Sequence, residues 1–483
     1  MDARHKRPRS IEPRDLRPIV SVAHTFVRPA IRGVIIAFVV AMLTAAVAAV
    51  LTPQAAAAIV KPPVFESVIA GDGNHIDAVT ALAVNADGTL YSCGSVWHET
   101  TGYDITVTCY ADAPLGWTKT WNSDTNEDDT AVDVAIAPDG SVFVYGSQGS
   151  GADAKPLLLR YGDGGDFRWA VTRAWGSAQQ LVTNGINMFA CCVEDNEDSG
   201  GTRVVVTAYL ADGTTGWEAK YQTRGYKVDT YPTDVWAHAA GRVYVCGGAS
   251  GTDLGQRAFI VSLAAGSRRW AHLYDGPGRR GASFAALTPS PAGDVYAVGR
   301  ARSDAYDILV TRYTASGTRV LTKRLGVADG RRQWATDAAA DSLGRLAVCG
   351  AWRASNKGYY VALLRRNGTV KWSHNYRGDK TYGYAKEVVV DGSDRVCVTG
   401  NAPGTRDTGG TCRRGPVATY AFSGAGVLRW RSKWPTTFAA STAFHQLETR
   451  DIAVWQSSNV WVCGSSDDRS DTGPDQFVIG WAL

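Results

Sequence analysis

Eight short stretches of the chain alternate large apolar residues with small ones, and they end alike. They are LYSCG (90–94), VFVYG (142–146), MFACC (188–192), VYVCG (243–247), VYAVG (295–299), LAVCG (346–350), VCVTG (396–400) and VWVCG (460–464). Each lacks proline, and all but the third close on glycine, which predicts a short buried strand ended by a turn. They recur about every 50 residues, the spacing of a propeller blade rather than of a helical repeat.

The rest of each unit repeats as well. A small-residue strand comes first, as in AVDVAIA (131–137). A tight turn such as ADG (86–88) or PDG (138–140) then leads into the apolar stretch, as between adjacent antiparallel strands. A polar loop and a third strand follow, such as PLLLRY (156–161) or DILVTRY (307–313). A Gly-containing turn leads to a fourth strand carrying Trp117, Trp169, Trp217, Trp270, Trp372 or Trp430, with Leu321 in the fifth unit. Four strands per unit, repeated radially, predict an all-β fold, an eight-bladed β-propeller of four-stranded antiparallel blades. One indole per unit at one register points to packing between blades, each burial worth about 2–3 kcal/mol, rather than to a ligand site.

The eighth unit has only three strands, near 449–455, 459–463 and 476–482. A leftover strand, VFESVI (64–69), precedes the first unit and places Phe65 and Ile69 four apart, as Trp372 and Tyr376 are in a fourth strand. The expectation is that 64–69 pairs antiparallel with 476–482 and closes the ring. An unclosed ring would leave a strand edge exposed.

The units AVNADGTLYSCG … DITVTCYADAPLGW (83–117) and AIAPDGSVFVYG … LLLRYGDGGDFRW (135–169) resemble the bacterial β-propeller repeats abbreviated SBBP. The resemblance covers 64–483. It implies an exported bacterial protein of propeller architecture and implies no single activity. The third unit departs from the pattern, with Cys192 in place of the glycine.

Composition changes the picture mainly at the N-terminus. Residues 1–32 are basic, 34–51 form an uncharged apolar run, and Pro53 and a run of alanines follow. That order is the one found in secretory signals, with a cut after Ala57. The run is also long enough to serve as an uncleaved anchor helix near the ~20 residues that span a bilayer. Residues 1–57 are therefore read as signal or anchor, and 58–483 as one propeller domain. In both readings the propeller is secreted or held in the cell envelope, and membrane contact occurs only if the helix is retained. Without 1–57 the chain has 42 basic and 43 acidic residues, so no basic excess marks a nucleic-acid binder. A monomer is expected.

Candidate chemistry is sparse. Strand direction alternates, so the second-to-third loops and the links between units all emerge on one face. Loops carry function on rigid scaffolds, which singles out 95–103, 122–130, 193–201, 223–230, 401–415 and 435–446. Asp133, Asp234, Asp337 and Glu387 recur where the first strand of a unit starts. They are expected to ring the central mouth, either holding a cation or cationic ligand or bonding nearby backbone N–H groups. Asp124, Asn126 and Asp128 have calcium-loop spacing but lack the loop's Gly and Glu. Glu194 to Asp198 reads as a solvated acidic loop. GPGRRG (276–281) matches a dinucleotide motif only literally, since it links two strands.

Cys93, Cys191, Cys246, Cys349 and Cys463 share one repeat position and read as small core residues. A Cys397–Cys412 disulfide and a vicinal Cys191–Cys192 disulfide are alternatives to free thiols. No cofactor or metal is expected, and no catalytic motif stands out. The leading expectation is a non-catalytic scaffold that binds a protein, glycan or cell-wall component on the long-loop face. The alternative is an extracytoplasmic enzyme, quinoprotein dehydrogenase-like or glycan-cleaving.

Overall fold

The computed structural model describes residues 59–69, 75, 77–111, 116–225, 227–251, 255–303, 305–326, 332–353, 357–376, 383–406, 412–434, 445–456, 458–468 and 476–483. The expected signal or anchor helix lies outside the described residues. Among the described residues no helix is long and apolar enough to cross a membrane.

The described residues form eight sheets with four antiparallel strands each; in seven of them the four strands are consecutive in the chain, and in the eighth three consecutive strands are joined by one from near the N-terminus. The first strands of the blades are Ala78–Val84, Thr130–Ile136, Ser177–Thr183, Asp229–Ala237, Ala282–Pro289, Arg332–Ala340, Tyr384–Val390 and His445–Trp455. Each touches the first strand of the blade before it and of the blade after it. The eighth touches the first, so these inner strands close a ring around a central channel.

The core is divided into eight layers, one at each junction between neighbouring blades. Both faces of the second and third strands are therefore buried, so both phases of their period-two pattern are filled by apolar or small residues. The outer-strand aromatics pack across these junctions. Trp117 lies against Tyr161, Trp270 against Tyr313 and Trp372 against Phe422, with ring centroids 6.3, 5.8 and 5.5 Å apart. Their indole N–H groups donate to turn carbonyls of the next blade, as Trp270 does to Ala315 at 3.1 Å.

The closing glycine of each second strand has a different role from the one expected. The strands do not end there. Leu90–His98, Val142–Gln148 and Val243–Gly251 run through Gly94, Gly146 and Gly247. The glycine sits where the inner strand bulges toward it. A Cβ on Gly247 would run into the carbonyl oxygen of Tyr231, so the residue marks close backbone approach, not a turn.

Phe65–Ile69 pairs antiparallel with Gln476–Ala482, Phe65 opposite Gly480 and Ile69 opposite Gln476, as the outermost strand of the eighth sheet. Phe65 occupies the register that the indoles hold elsewhere and meets Tyr110 of the first blade edge-on at 5.5 Å. A second N-terminal piece was not foreseen. Ile59–Val60 runs parallel along the outer edge of the seventh blade, Ile59 opposite Trp430, and the Lys61 ammonium donates to the carbonyl of Ala482.

Candidate functional site

Each inner strand carries one bulge against its second strand. The residues just after it are Ala81, Asp133, Gln180, Asp234, Ala286, Asp337, Glu387 and Asp451 in blade order. The four expected acids thus do share a register. They stand beside the bulge within the strand, in the channel wall, and not at the strand start. A bulge breaks the ladder and leaves the following backbone N–H without its usual partner.

Aspartates on alternate blades answer this. Asp133 accepts from the N–H of Val134 and of Leu181 on the next blade, both at 2.8 Å. Asp234 does the same with Val235 at 2.8 Å and Leu287 at 2.5 Å. Asp337 takes Ala338 and Val388. Asp451, in the eighth blade, takes Ile452 at 2.7 Å and Leu82 of the first at 2.8 Å. Four carboxylates therefore serve all eight post-bulge N–H groups and tie the blades in pairs. Asp451 escaped the sequence reading because the eighth unit was not aligned on its bulge, although Asp451 lies as far before Cys463 as Asp337 does before Cys349.

Crowding in the channel wall disfavours the charged forms. Desolvation pushes Asp133 and Asp234 up to about 7 and Asp451 up to about 6. Asp337 is raised for the same reason, and Glu387 rises well above the usual range through burial and then the neighbouring Asp337 charge. Glu387 and Asp337 are hydrogen-bonded to each other, so this pair shares a proton. Carboxyl groups in direct contact leave no room for a glycosidic bond between them. Among the described residues, no three His, Cys, Asp or Glu side chains gather as a metal-holding group.

The other expected features are scattered. Asn126 turns toward Asn122, and Asp128 accepts from the Tyr103 N–H at 3.1 Å, so the calcium-loop side chains do not converge. Cys191 and Cys192 are buried free thiols, and Cys397 is free as well. The side chain of Cys412 lies outside the described residues, as does most of loop 435–446. GPGRRG (276–281) links Ser267–Tyr274 to Ala282–Pro289, strand to strand.

The long loops are shorter than they read, because the second and third strands extend into them. Thr202–Tyr209 and Met188–Asp195, for example, leave only 196–201 between them. Beside that hairpin, at the junction of the second and third blades, lies a groove of about 710 Å³. Its back wall corrects one expectation. Glu194 is not solvated but fully buried, because Arg173, Arg203 and Lys220 converge on it at 2.7, 2.6 and 3.0 Å. Burial alone would raise its pKa, yet the hydrogen bonds from these cations hold it down at about 2. The available signal was Arg203, which stands directly across the hairpin from Glu194.

No family model and no curated protein matches this chain. Among solved structures it is similar to Sqt1 from Chaetomium thermophilum, at 11% identity and a TM-score of 0.47, over 86% of this chain and 100% of that one. An acylaminoacyl peptidase from Pyrococcus horikoshii is similar at 10% identity and a TM-score of 0.42, over 82% of this chain and 57% of that one. The β-propeller domain of the Trilobed protease from Pyrococcus furiosus is similar at 10% identity and a TM-score of 0.41, over 73% and 93%. None of these likenesses bears on a ligand.

Proposed function

We propose that this chain is an exported, non-catalytic β-propeller that binds a protein, glycan or cell-wall component through the face carrying its inter-blade links. The supporting observation is how the polar groups are used. The channel aspartates are committed to backbone N–H groups that tie blade to blade, which is a structural task. The loop face, by contrast, offers a wide groove with exposed side chains. The resemblance to SBBP repeats and the basic, apolar, small-residue order of 1–57 support an extracytoplasmic setting. The near-neutral body supports a ligand other than nucleic acid.

Co-sedimentation with isolated cell envelope and with insoluble polysaccharides tests the reading. Retention that survives physiological salt is expected, with no shift of duplex or single-stranded DNA. Failure to sediment with any envelope fraction or polysaccharide would overturn it. N-terminal sequencing of the protein recovered from medium or envelope tests export, and a start near Ala58 is expected.

A further inference from the structure

The groove between the second and third blades has a chemistry of its own. Trp175 lines it from the link between Phe167–Thr172 and Ser177–Thr183, and the residue is 64% exposed. Every outer-strand indole has a neighbouring blade to cover it, and Trp175 has none. A single exposed apolar residue is ordinary, but this one stands in the wall of a polar concavity. Its backbone is fixed, since Arg173 donates to the Trp175 carbonyl at 3.1 Å while also holding Glu194.

The polar lining has two signs. Asp195, Glu197 and Asp198 line the groove as exposed carboxylates, and no side-chain partner holds them among the described residues. Arg203 also lines it. Glu194 grips one edge of the guanidinium through Nε and Nη2, and Nη1 lies 3.4 Å from Asn196. The orientation of Arg203 is therefore set before any ligand arrives. A simple anion would meet three carboxylates here. A metal ion would find no three of these carboxylates gathered as a ligand group among the described residues. A neutral polyhydroxylated ligand satisfies both, because hydroxyls donate to carboxylates and accept from guanidinium. One face of a pyranose ring is a sheet of C–H groups that suits an indole.

We infer that this groove binds a neutral polysaccharide chain, with Trp175 as the stacking platform, Asp195, Glu197 and Asp198 as hydroxyl acceptors and Arg203 as a prealigned donor. The inference rests on the loop face being the binding face and narrows its ligand to saccharide. The groove volume fits the size range of small-ligand sites and holds a few sugar rings of a longer chain.

The test is calorimetric titration of the full chain with hexasaccharides of β-1,4-glucose, α-1,4-glucose, β-1,4-xylose and β-1,4-N-acetylglucosamine. At least one is expected to bind. Trp175→Ala should weaken that binding by about ten-fold or more, as hot-spot aromatics do, and Trp175→Tyr should restore part of it. Asp195→Asn and Glu197→Gln should each give a smaller loss. Ile186→Ser, exposed at a first-to-second-strand turn away from the groove, should change nothing. Trp175 is exposed, so its variants should keep the parent melting temperature. No binding of any saccharide at millimolar concentration overturns the inference, as does binding that Trp175→Ala leaves intact. If Trp175→Ala still sediments with envelope like the parent, the groove assignment falls while the scaffold reading stands. If the parent itself fails to sediment, both fall.

Discussion

At the residue scale, two sets of buried carboxyls pull stability in opposite directions with pH. Asp133, Asp234 and Asp451 titrate near 7, 7 and 6 in the fold against an ordinary value of 3.8. The folded chain binds protons there that the unfolded chain does not. Their contribution is therefore complete below the ordinary carboxylate value and is lost as pH rises through about 6 to 7. Glu194 behaves oppositely, since its value is about 2 against an ordinary 4.5. Its contribution is present above the ordinary value and is lost as pH falls toward 2. The melting temperature should thus peak in mildly acid solution and decline toward pH 8. Thermal melts across a pH series check this, and Asp234→Asn should flatten the decline. A flat profile in the parent would contradict the assignment. Glu194→Ala takes the carboxylate partner from Arg203, while Glu218 still faces Arg173 and Lys220, and should cost about 2 kcal/mol, the range for losing charged hydrogen bonds. Urea unfolding measures it.

At the scale of the strand, the bulge and the glycine opposite it form one device. The inner strand bends toward the second strand, and seven of the eight second strands answer with a residue that has no Cβ. Gly247→Ala should therefore cost on the order of 3 kcal/mol, since the added methyl meets the fixed carbonyl of Tyr231 rather than a movable side chain. Cys192→Gly, at the matching position of the third blade, should cost far less than Gly247→Ala, because that blade already accommodates a side chain. Paired denaturant midpoints decide between them. Equal costs would mean that the glycine marks only strand flexibility.

At the scale of the ring, Phe65–Ile69 lies on the last C-terminal strand and supplies the eighth blade's outer edge. We expect this strand to be what holds the ring shut. Deleting 63–69 would expose the edge of Gln476–Ala482 and uncover Tyr110, so its loss should lower the melting temperature far more than trimming 1–58. Phe65→Ala alone should cost about 2 kcal/mol, less than full burial of an aromatic side chain because Phe65 remains partly exposed. Calorimetry of the three variants separates the contributions. If removing 63–69 leaves the melting temperature unchanged, the ring is held by its inter-blade layers alone. Closing the chain ends onto one sheet costs little extra entropy, since that cost grows only logarithmically with loop length.

Blade number, strand order and the packing role of the indoles were legible in the chain. They follow from local rules, in which period-two apolar patterns make strands, short Gly-containing turns pair them, and a period near 50 residues stacks them. The register of Asp133, Asp234, Asp337 and Glu387 was legible for the same reason. Their task was not, because an aspartate on one blade finds its second N–H on the next, some fifty residues away, and only the bulge says that this N–H is unpaired. Glu194 read as solvated because its neighbours Asp195, Glu197 and Asp198 are. Strand alternation turned it inward, and Arg173 comes to it from the preceding blade. Trp175 carried no signal at all, since it belongs to no repeat position. What leaves its indole bare is the width of the groove between two blades, a quantity that exists only once the ring is assembled.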